Sequence, residues 1–430
     1  MTETEAKAIA IKVAGIMKDE RFKEVESLFS PQLRAVASAE TVHTAWSSEV
    51  SKSGAVTHIG ESTAEQTDQG VRIRTPVVFE HGELVIFMSI DDQGLLNGLR
   101  LAPAAAEWSE PSYAKLRRFT EHEVTVTADS LDVGATISIP VGSGPYPGVV
   151  LLGGGGPFDR DETDGANKPL KDIAWGLASR GIAVLRFDKV NYVHSQVAAS
   201  PKFTMMDEYV PHAVAGVHML QQQRDVDIHK IFILGHSMGG KVAPQIAAAE
   251  PSVAGLVIMA GDAQPMQQAA VRVARYVDTL NSTASTKSAV ATIEKQAALV
   301  DSSQLSISTP ASELPFGFSG AYWLSVRDYD PVATAVALEK PMFILQGGRD
   351  YQVTVEDDLS RWKAGLSQNP NVKIRIYKAD NHLFFPGKGR STPAEYGAPQ
   401  HVDPAVVADI ARWLQPQRGV IARFMSMLSS

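Results

Sequence analysis

Ser237 lies at the centre of the pentapeptide 235–239, Gly-His-Ser-Met-Gly. The preceding residues 230–234 are apolar and rich in strand formers, whereas residues 240–250 have the composition of a helix. A serine on a sharp turn from a buried strand into a helix is displayed as a nucleophile, and the next amide points to where an oxyanion would form. Because the pentapeptide alone can occur by chance, this interpretation depends on partners elsewhere in the chain.

A serine hydroxyl needs a histidine base, and that base needs a carboxylate to orient it. In the strand, turn and helix arrangement the chain order is Ser, then acid, then His, with each partner following a later strand. The predicted strand 341–346 runs into a glycine turn that ends at Asp350. The predicted strand 372–377 is followed by His382. We therefore predict that Ser237, Asp350 and His382 form a catalytic triad.

Other residues compete for these roles. His401 also follows the strand that precedes the acid, but it lies in a Pro-rich loop before a helix. The acidic residues 356–358 begin a predicted helix, where the helix dipole favours negative charge. Asp380 is expected to stabilise its loop, and His236 is interpreted as a packing or pocket-wall residue. Asp350 and His382 remain the preferred partners.

A run of four glycines at 153–156 follows another predicted strand and allows backbone amides to approach a ligand closely. The pattern G-x-G-x-x-G fails here because its third glycine falls on Phe158 or the residue after it, so a dinucleotide site is disfavoured. We predict that the oxyanion hole uses the amides of Met238 and Gly155, with Gly156 as the alternative to Gly155.

Three stretches, 154–162, 167–169 and 174–189, resemble bacterial serine carboxylesterases of the α/β-hydrolase superfamily. The similarity continues through the pentapeptide and both triad partners into residues 392–404, and it covers most of 112–416. The matching members carry a small N-terminal domain of the DUF3887 type. The resemblance implies ester hydrolysis through an acyl-enzyme, with the triad and oxyanion donors already named.

The pattern of elements predicts two domains. Residues 1–110 show helical spacing followed by strands, which indicates a small α+β domain; the resemblance implies an NTF2-like cone. Residues 103–111 are the predicted linker. Residues 111–430 alternate strands and helices, which predicts an α/β-hydrolase fold with a mostly parallel sheet and helices on both faces. An insertion at about 262–335 is predicted to form a helical lid.

Aromatic side chains in the insertion and beside the predicted base are expected to contribute to a substrate pocket. For any single ring, packing of the lid onto the body is the safer interpretation, but together some should line an acyl or alcohol pocket. The candidate pocket residues are His236, Phe158, Phe316, Phe318, Tyr322, Trp323 and Phe384.

Charge and composition indicate which partners, chemistry and location to expect for this chain. The net charge of −8 and pI near 5.8 disfavour binding to nucleic acid or to an anionic membrane. The absence of cysteine excludes disulfides and thiol catalysis, and no cofactor or metal is expected. The acidic first residues and the lack of a long apolar run predict a cytoplasmic protein. The apolar tail from residue 418 is expected to pack on its own molecule, with a homodimer contact as the alternative.

The leading hypothesis is therefore a serine carboxylesterase that acts on a small-molecule ester. A lactone, a thioester or a peptide could use the same triad. A protein that binds ligands in the lidded pocket without catalysis, and an interaction protein led by its N-terminal module, are alternatives of another class.

Overall fold

The computed structural model describes residues 1–34, 37–67, 70–103 and 108–415. The chain divides into two compact units, Met1–Glu107 and Trp108–Ser430. The domain boundary predicted at residue 110 lies close to this division. Part of the predicted linker, residues 104–107, and the whole apolar tail from residue 418 lie outside the described residues.

The first unit combines helices with an antiparallel sheet in its described residues. The helices are α1 (Glu3–Lys18), α2 (Phe22–Ser27), α3 (Pro31–Arg34) and α4 (Ala39–Ser53), and the strands are β1 (Val56–Ile59), β2 (Thr63–Thr67), β3 (Gly70–Phe79), β4 (Gly82–Ile90) and β5 (Leu96–Pro103). The strand order is β1-β3-β4-β5, and β2 also pairs with β3. Alternate β3 residues such as Ile73 and Val77 pack with Val13 and Met17 of α1 in one core. This is the predicted small α+β domain.

The second unit is built on an eight-stranded sheet. Its strands are β6 (Phe119–Ala128), β7 (Leu131–Pro140), β8 (Tyr146–Leu152), β9 (Ala183–Phe187), β10 (Val226–His236), β11 (Gly255–Met259), β12 (Met342–Gly347) and β13 (Val372–Tyr377). They lie in the order β13-β12-β11-β10-β8-β9-β7-β6. The pairs from β13 to β9 are parallel, and only β7 runs against its neighbours. The sheet is mostly parallel, as predicted.

Helices cover both faces of this sheet. Its helices are α5 (Pro169–Ala178), α6 (Val190–Val193), α7 (Ser195–Ala198), α8 (Met205–Gln221), α9 (Met238–Ala249), α10 (Met266–Leu280), α11 (Ala284–Asp301), α12 (Gly320–Arg327), α13 (Pro331–Leu338), α14 (Ser360–Leu366) and α15 (Pro404–Leu414). Successive residues of a strand point to opposite faces. Val149 and Leu151 accordingly pack with α5 and α15, whereas Val150 and Leu152 pack with α8 and α9. Two cores therefore flank the sheet, in agreement with the predicted α/β-hydrolase fold.

The connection from β11 to β12 contains α10, α11, α12 and α13, which occupy the segment predicted as a helical insertion. The first two of these helices bury few side chains, chiefly Gln267, Ala270, Ala297 and Val300. Polar contacts also hold α10: Arg272 donates to the carbonyl oxygens of Tyr351 and Gln352, and the Tyr276 hydroxyl donates to that of Ser391. No helix in the described parts of the chain is long and apolar enough to cross a membrane.

Candidate active site

Ser237 occupies a strained turn between the end of β10 and the start of α9. Its backbone has φ 52° and ψ −121°, a conformation that costs a non-glycine residue about 1–3 kcal/mol. A Cβ at Gly235 would overlap the carbonyl oxygen of Gly239, and a Cβ at Gly239 would lie 2.6 Å from the carbonyl oxygen of Gly153. Glycine at both positions is therefore what allows the strand to turn directly into the helix and present the serine.

His382 and Asp350 meet at the carboxyl end of the sheet. The Nδ1 atom of His382 lies 2.8 Å from Oδ2 of Asp350, and both side chains are buried. The other oxygen of Asp350 accepts the amides of Gln352 and Val353 at 2.8 and 2.9 Å. These bonds fix the carboxylate, which in turn fixes the imidazole. Nε2 of His382 does not contact Asp350, and His382 and Ser237 line one cavity of about 150 Å³. Proton exchange between them stays a prediction.

The competing residues have other partners. Asp358 is fully buried and accepts the amides of Ala263 and Gln264, which anchors the start of the insertion. His401 directs Nδ1 to Asp172 at 3.1 Å. Neither Asp358 nor His401 lines the cavities that contain Ser237.

The predicted oxyanion donors line a cavity with Ser237. Gly155, Gly156 and Met238 line a second, larger cavity together with the serine. Met238 is the first residue of α9, so its amide has no acceptor within the helix. The amide of Gly154 donates to Glu162 Oε1 at 2.6 Å, which leaves Gly155 as the next donor along the loop. The assignment of an oxyanion to these amides stays a prediction.

The larger cavity has a volume of about 720 Å³ and a mostly apolar lining. Methionine, alanine, valine and isoleucine side chains of α10 and α11 form much of its wall, and Asp262 and Gln352 are among its polar residues. The apolar lining residues are Met238, Met266, Ala269, Ala270, Val273, Ala274, Ala289, Ile293, Phe316, Phe318 and Val353.

Comparison with known proteins identifies the family to which the second unit is similar. A model of the family described as serine aminopeptidase, S33, matches residues 168–385, about half of the chain. The chain belongs to this family. A second model, for the protein family of unknown function DUF3887, matches residues 10–99 of the same chain. The predicted combination of an α/β hydrolase with a DUF3887 domain is thus confirmed.

Relatives of this S33-family chain include enzymes that act on esters. Esterase EstD of Thermotoga maritima is 34% identical over 401 residues, which cover 93% of this chain and 92% of the relative. The 2,6-dihydropseudooxynicotine hydrolase of Paenarthrobacter nicotinovorans is 26% identical over 144 residues, about a third of each chain. Among solved structures, an esterase of Pyrococcus furiosus aligns with a TM-score of 0.45 and 16% identity, covering 70% of this chain and 92% of that one.

Sequence reasoning missed the role of Glu162 in the site of this S33-family chain. Its Oε1 lies 2.9 Å from Nδ1 of His236, whose Nε2 lies 2.9 Å from the carbonyl oxygen of His382. Burial alone would lower the pKa of His236, but the Glu162 carboxylate outweighs it and raises that pKa. Both ring nitrogens of His236 face acceptors, which favours the protonated ring, in which both nitrogens donate.

No periodic pattern could have found Glu162, because it reaches His236 through a turn at φ 55° and across 74 positions of sequence. The sequence did offer one signal for Glu162: it lies in the stretch 154–162, which carries the family resemblance. His236 itself lines the smaller cavity, as does Phe158, whereas Phe316 and Phe318 line the larger one.

Three predicted pocket residues, Trp323, Tyr322 and Phe384, do not line either of the two cavities that contain Ser237. Trp323 is fully buried and donates its indole N–H to the carbonyl oxygen of Pro315. Tyr322 is buried with its hydroxyl 2.6 Å from Glu208. Phe384, whose own backbone has φ 59°, has its ring in the core, although it is close to His382 in sequence.

Proposed function

We propose that this chain hydrolyses carboxylic esters through an acyl-enzyme formed on Ser237. One observation carries the proposal: Ser237, on its strained turn, shares a cavity with His382, whose Nδ1 is held at 2.8 Å by the buried Asp350. Nucleophile, base and orienting carboxylate are the three parts that acyl transfer needs. The 34% identity to an esterase over most of the chain supports an ester as the substrate.

The residues divide the reaction into two halves. His382 takes the proton of Ser237 as the oxygen attacks the ester carbonyl, while the amides of Met238 and Gly155 hold the negative oxygen of the tetrahedral intermediate. The intermediate collapses, and His382 returns the proton to the departing alcohol. Water, deprotonated by His382, then attacks the acyl-enzyme, and the acid is released with Ser237 reprotonated.

The larger cavity indicates what kind of ester fits. Its apolar wall beside Ser237 favours an apolar acyl or alcohol group, which gains free energy when it leaves water. The description of the matched family favours a second candidate, hydrolysis of an aminoacyl amide on the same triad.

A substrate panel separates these functions. The wild-type chain and Ser237→Ala are assayed with p-nitrophenyl esters, lactones, acyl-CoA thioesters and aminoacyl amides. The proposal expects the highest kcat/KM on esters and a loss of about 10⁴-fold or more in Ser237→Ala. A preference for aminoacyl amides would favour the second candidate, and no turnover of any compound would contradict catalysis.

A further inference from the structure

The glycine loop beside Ser237 is held at Gly154 by three buried side chains. The carbonyl oxygen of Gly154 accepts hydrogen bonds from Nζ of Lys189 at 2.6 Å and from the hydroxyl of Tyr209 at 2.7 Å. The N–H of Gly154 donates to Glu162 at 2.6 Å. Lys189, Tyr209 and Glu162 are only 3%, 2% and 3% exposed. Both backbone groups of one glycine are thus fixed from the protein interior.

The geometry of a peptide bond connects this contact to the predicted oxyanion donor. The carbonyl of Gly154 and the N–H of Gly155 belong to one planar trans peptide, so they point in opposite directions. The side chains that hold the carbonyl therefore set the direction of the Gly155 N–H. This peptide is close to the nucleophile, since a Cβ on Gly154 would lie 3.2 Å from Cβ of Ser237.

The buried ammonium of Lys189 has a partner for each of its three donors. Nζ lies 2.5 Å from Oε1 of Glu208, 2.8 Å from the hydroxyl of Tyr209 and 2.6 Å from the carbonyl oxygen of Gly154. A buried charge is costly unless it is paired and hydrogen-bonded. Lys189 takes no part in the proton path between Ser237 and His382. Its buried position is instead explained by the hydrogen bond that Nζ donates to the carbonyl oxygen of Gly154.

We propose that Lys189 and Tyr209 are positioning residues that aim the N–H of Gly155 at the oxyanion, an inference that rests on the proposed ester hydrolysis. Glycines allow the close approach but leave the loop many conformations, and a donor is effective only when its direction is set before the reaction. The donor acts on the transition state more than on the bound substrate, so loosening Gly154 lowers kcat while KM changes little.

The variant Tyr209→Phe removes one donor to Gly154 and keeps the ring in the core. We expect kcat on the preferred p-nitrophenyl ester to fall about tenfold, with KM within about twofold. The affinity for an alkyl trifluoromethyl ketone, whose adduct on Ser237 carries an oxyanion, should fall by the same factor as kcat/KM. The double variant Lys189→Met/Glu208→Gln removes the other donor without leaving an unpaired buried carboxylate. Its kcat and its affinity for the ketone should fall further than those of Tyr209→Phe.

Tyr329→Phe is the matched control, because the Tyr329 hydroxyl donates to the carbonyl oxygen of Lys241 at 3.1 Å, away from Gly154. It should keep both kcat and ketone affinity, and thermal melting checks that every variant is folded. A kcat and ketone affinity equal to wild type in both Tyr209→Phe and the double variant would overturn the inference. A wild-type chain that hydrolyses no ester would instead overturn the proposed function, and this inference with it.

Discussion

At the scale of single residues, the site depends on how firmly Asp350 holds His382. Asp350→Asn should lower kcat on esters by about 10³-fold or more, because an amide no longer fixes the tautomer of the histidine or balances its positive charge. The variant should fold, since its carbonyl oxygen can still accept the amides of Gln352 and Val353. Steady-state kinetics measure the loss. Asp357→Asn, at one of the competing acidic positions, is the control, and an equal loss in both variants would contradict the assignment.

A second prediction at this scale concerns Asp380, two positions before the base. Burial raises the pKa of Asp380 to about 7, the nearby Asp403 contributes through its charge and a side-chain hydrogen bond, and Arg349 opposes the shift. The unfolded chain releases this proton near pH 4. The folded state therefore binds more protons between about pH 4 and 7, and its free energy of unfolding falls across that interval as pH rises.

Asp380→Asn cannot ionise, so it should lose this dependence. Thermal melts give the Tm of the variant minus the Tm of wild type at each pH. This difference should rise from about pH 4 to 7 and stay constant above pH 7. A difference that is constant from pH 4.5 to 8.5 would show that Asp380 is ionised throughout.

A local motif and the chain order carry the sequence signal for the predicted catalytic residues. Ser237, Asp350 and His382 each follow a strand that is readable as an apolar run. Phe384 was misplaced because neighbours in sequence need not be neighbours in space when the backbone turns at a positive φ. Lys189 and Glu162 act through contacts that are distant in sequence, for which no local pattern exists.

At the scale of elements, buried strands and the alternating edge strand β13 were predictable from the sequence, whereas the polar edge strand β6 was not. The strand β12 is buried along its whole length and begins with a continuous apolar run from Met342 to Leu345. The edge strand β6 is mostly exposed and polar, so it has little hydrophobic signal. The order of the parallel strands follows from long-range pairing, for which the sequence has no local pattern.

The insertion helices lead to a prediction about substrate size. Ala274 of α10 lines the larger cavity, and Ala274→Phe would fill part of it. Two series are compared: p-nitrophenyl esters of increasing acyl length and acetates of alcohols of increasing length. In one of the two series, the ratio of kcat/KM for the longest ester to kcat/KM for the shortest should be about tenfold lower in Ala274→Phe than in wild type. The exposed Ala298 of α11 provides the control variant Ala298→Phe. Unchanged ratios in both series would exclude this cavity as the substrate pocket.

At the scale of the whole molecule, each unit has its own hydrophobic core. The buried cluster of the first unit contains only residues before 97, and the two clusters beside the large sheet contain only residues after 112. Separate cores are what independent folding requires. Residues 108–430 expressed alone should therefore unfold cooperatively in calorimetry and retain ester turnover within about threefold. A truncated chain that is unfolded or inactive would show that the first unit is needed for catalysis.

The central claim is that Ser237 is the nucleophile, and covalent labelling tests it most directly. The full chain is treated with a fluorophosphonate, and intact mass and peptide mapping locate the adduct. We predict one phosphonyl group per chain, attached to Ser237, and loss of ester turnover in proportion to labelling; Ser237→Ala should remain folded and unlabelled. An adduct on another residue, or equal labelling of Ser237→Ala, would contradict the account.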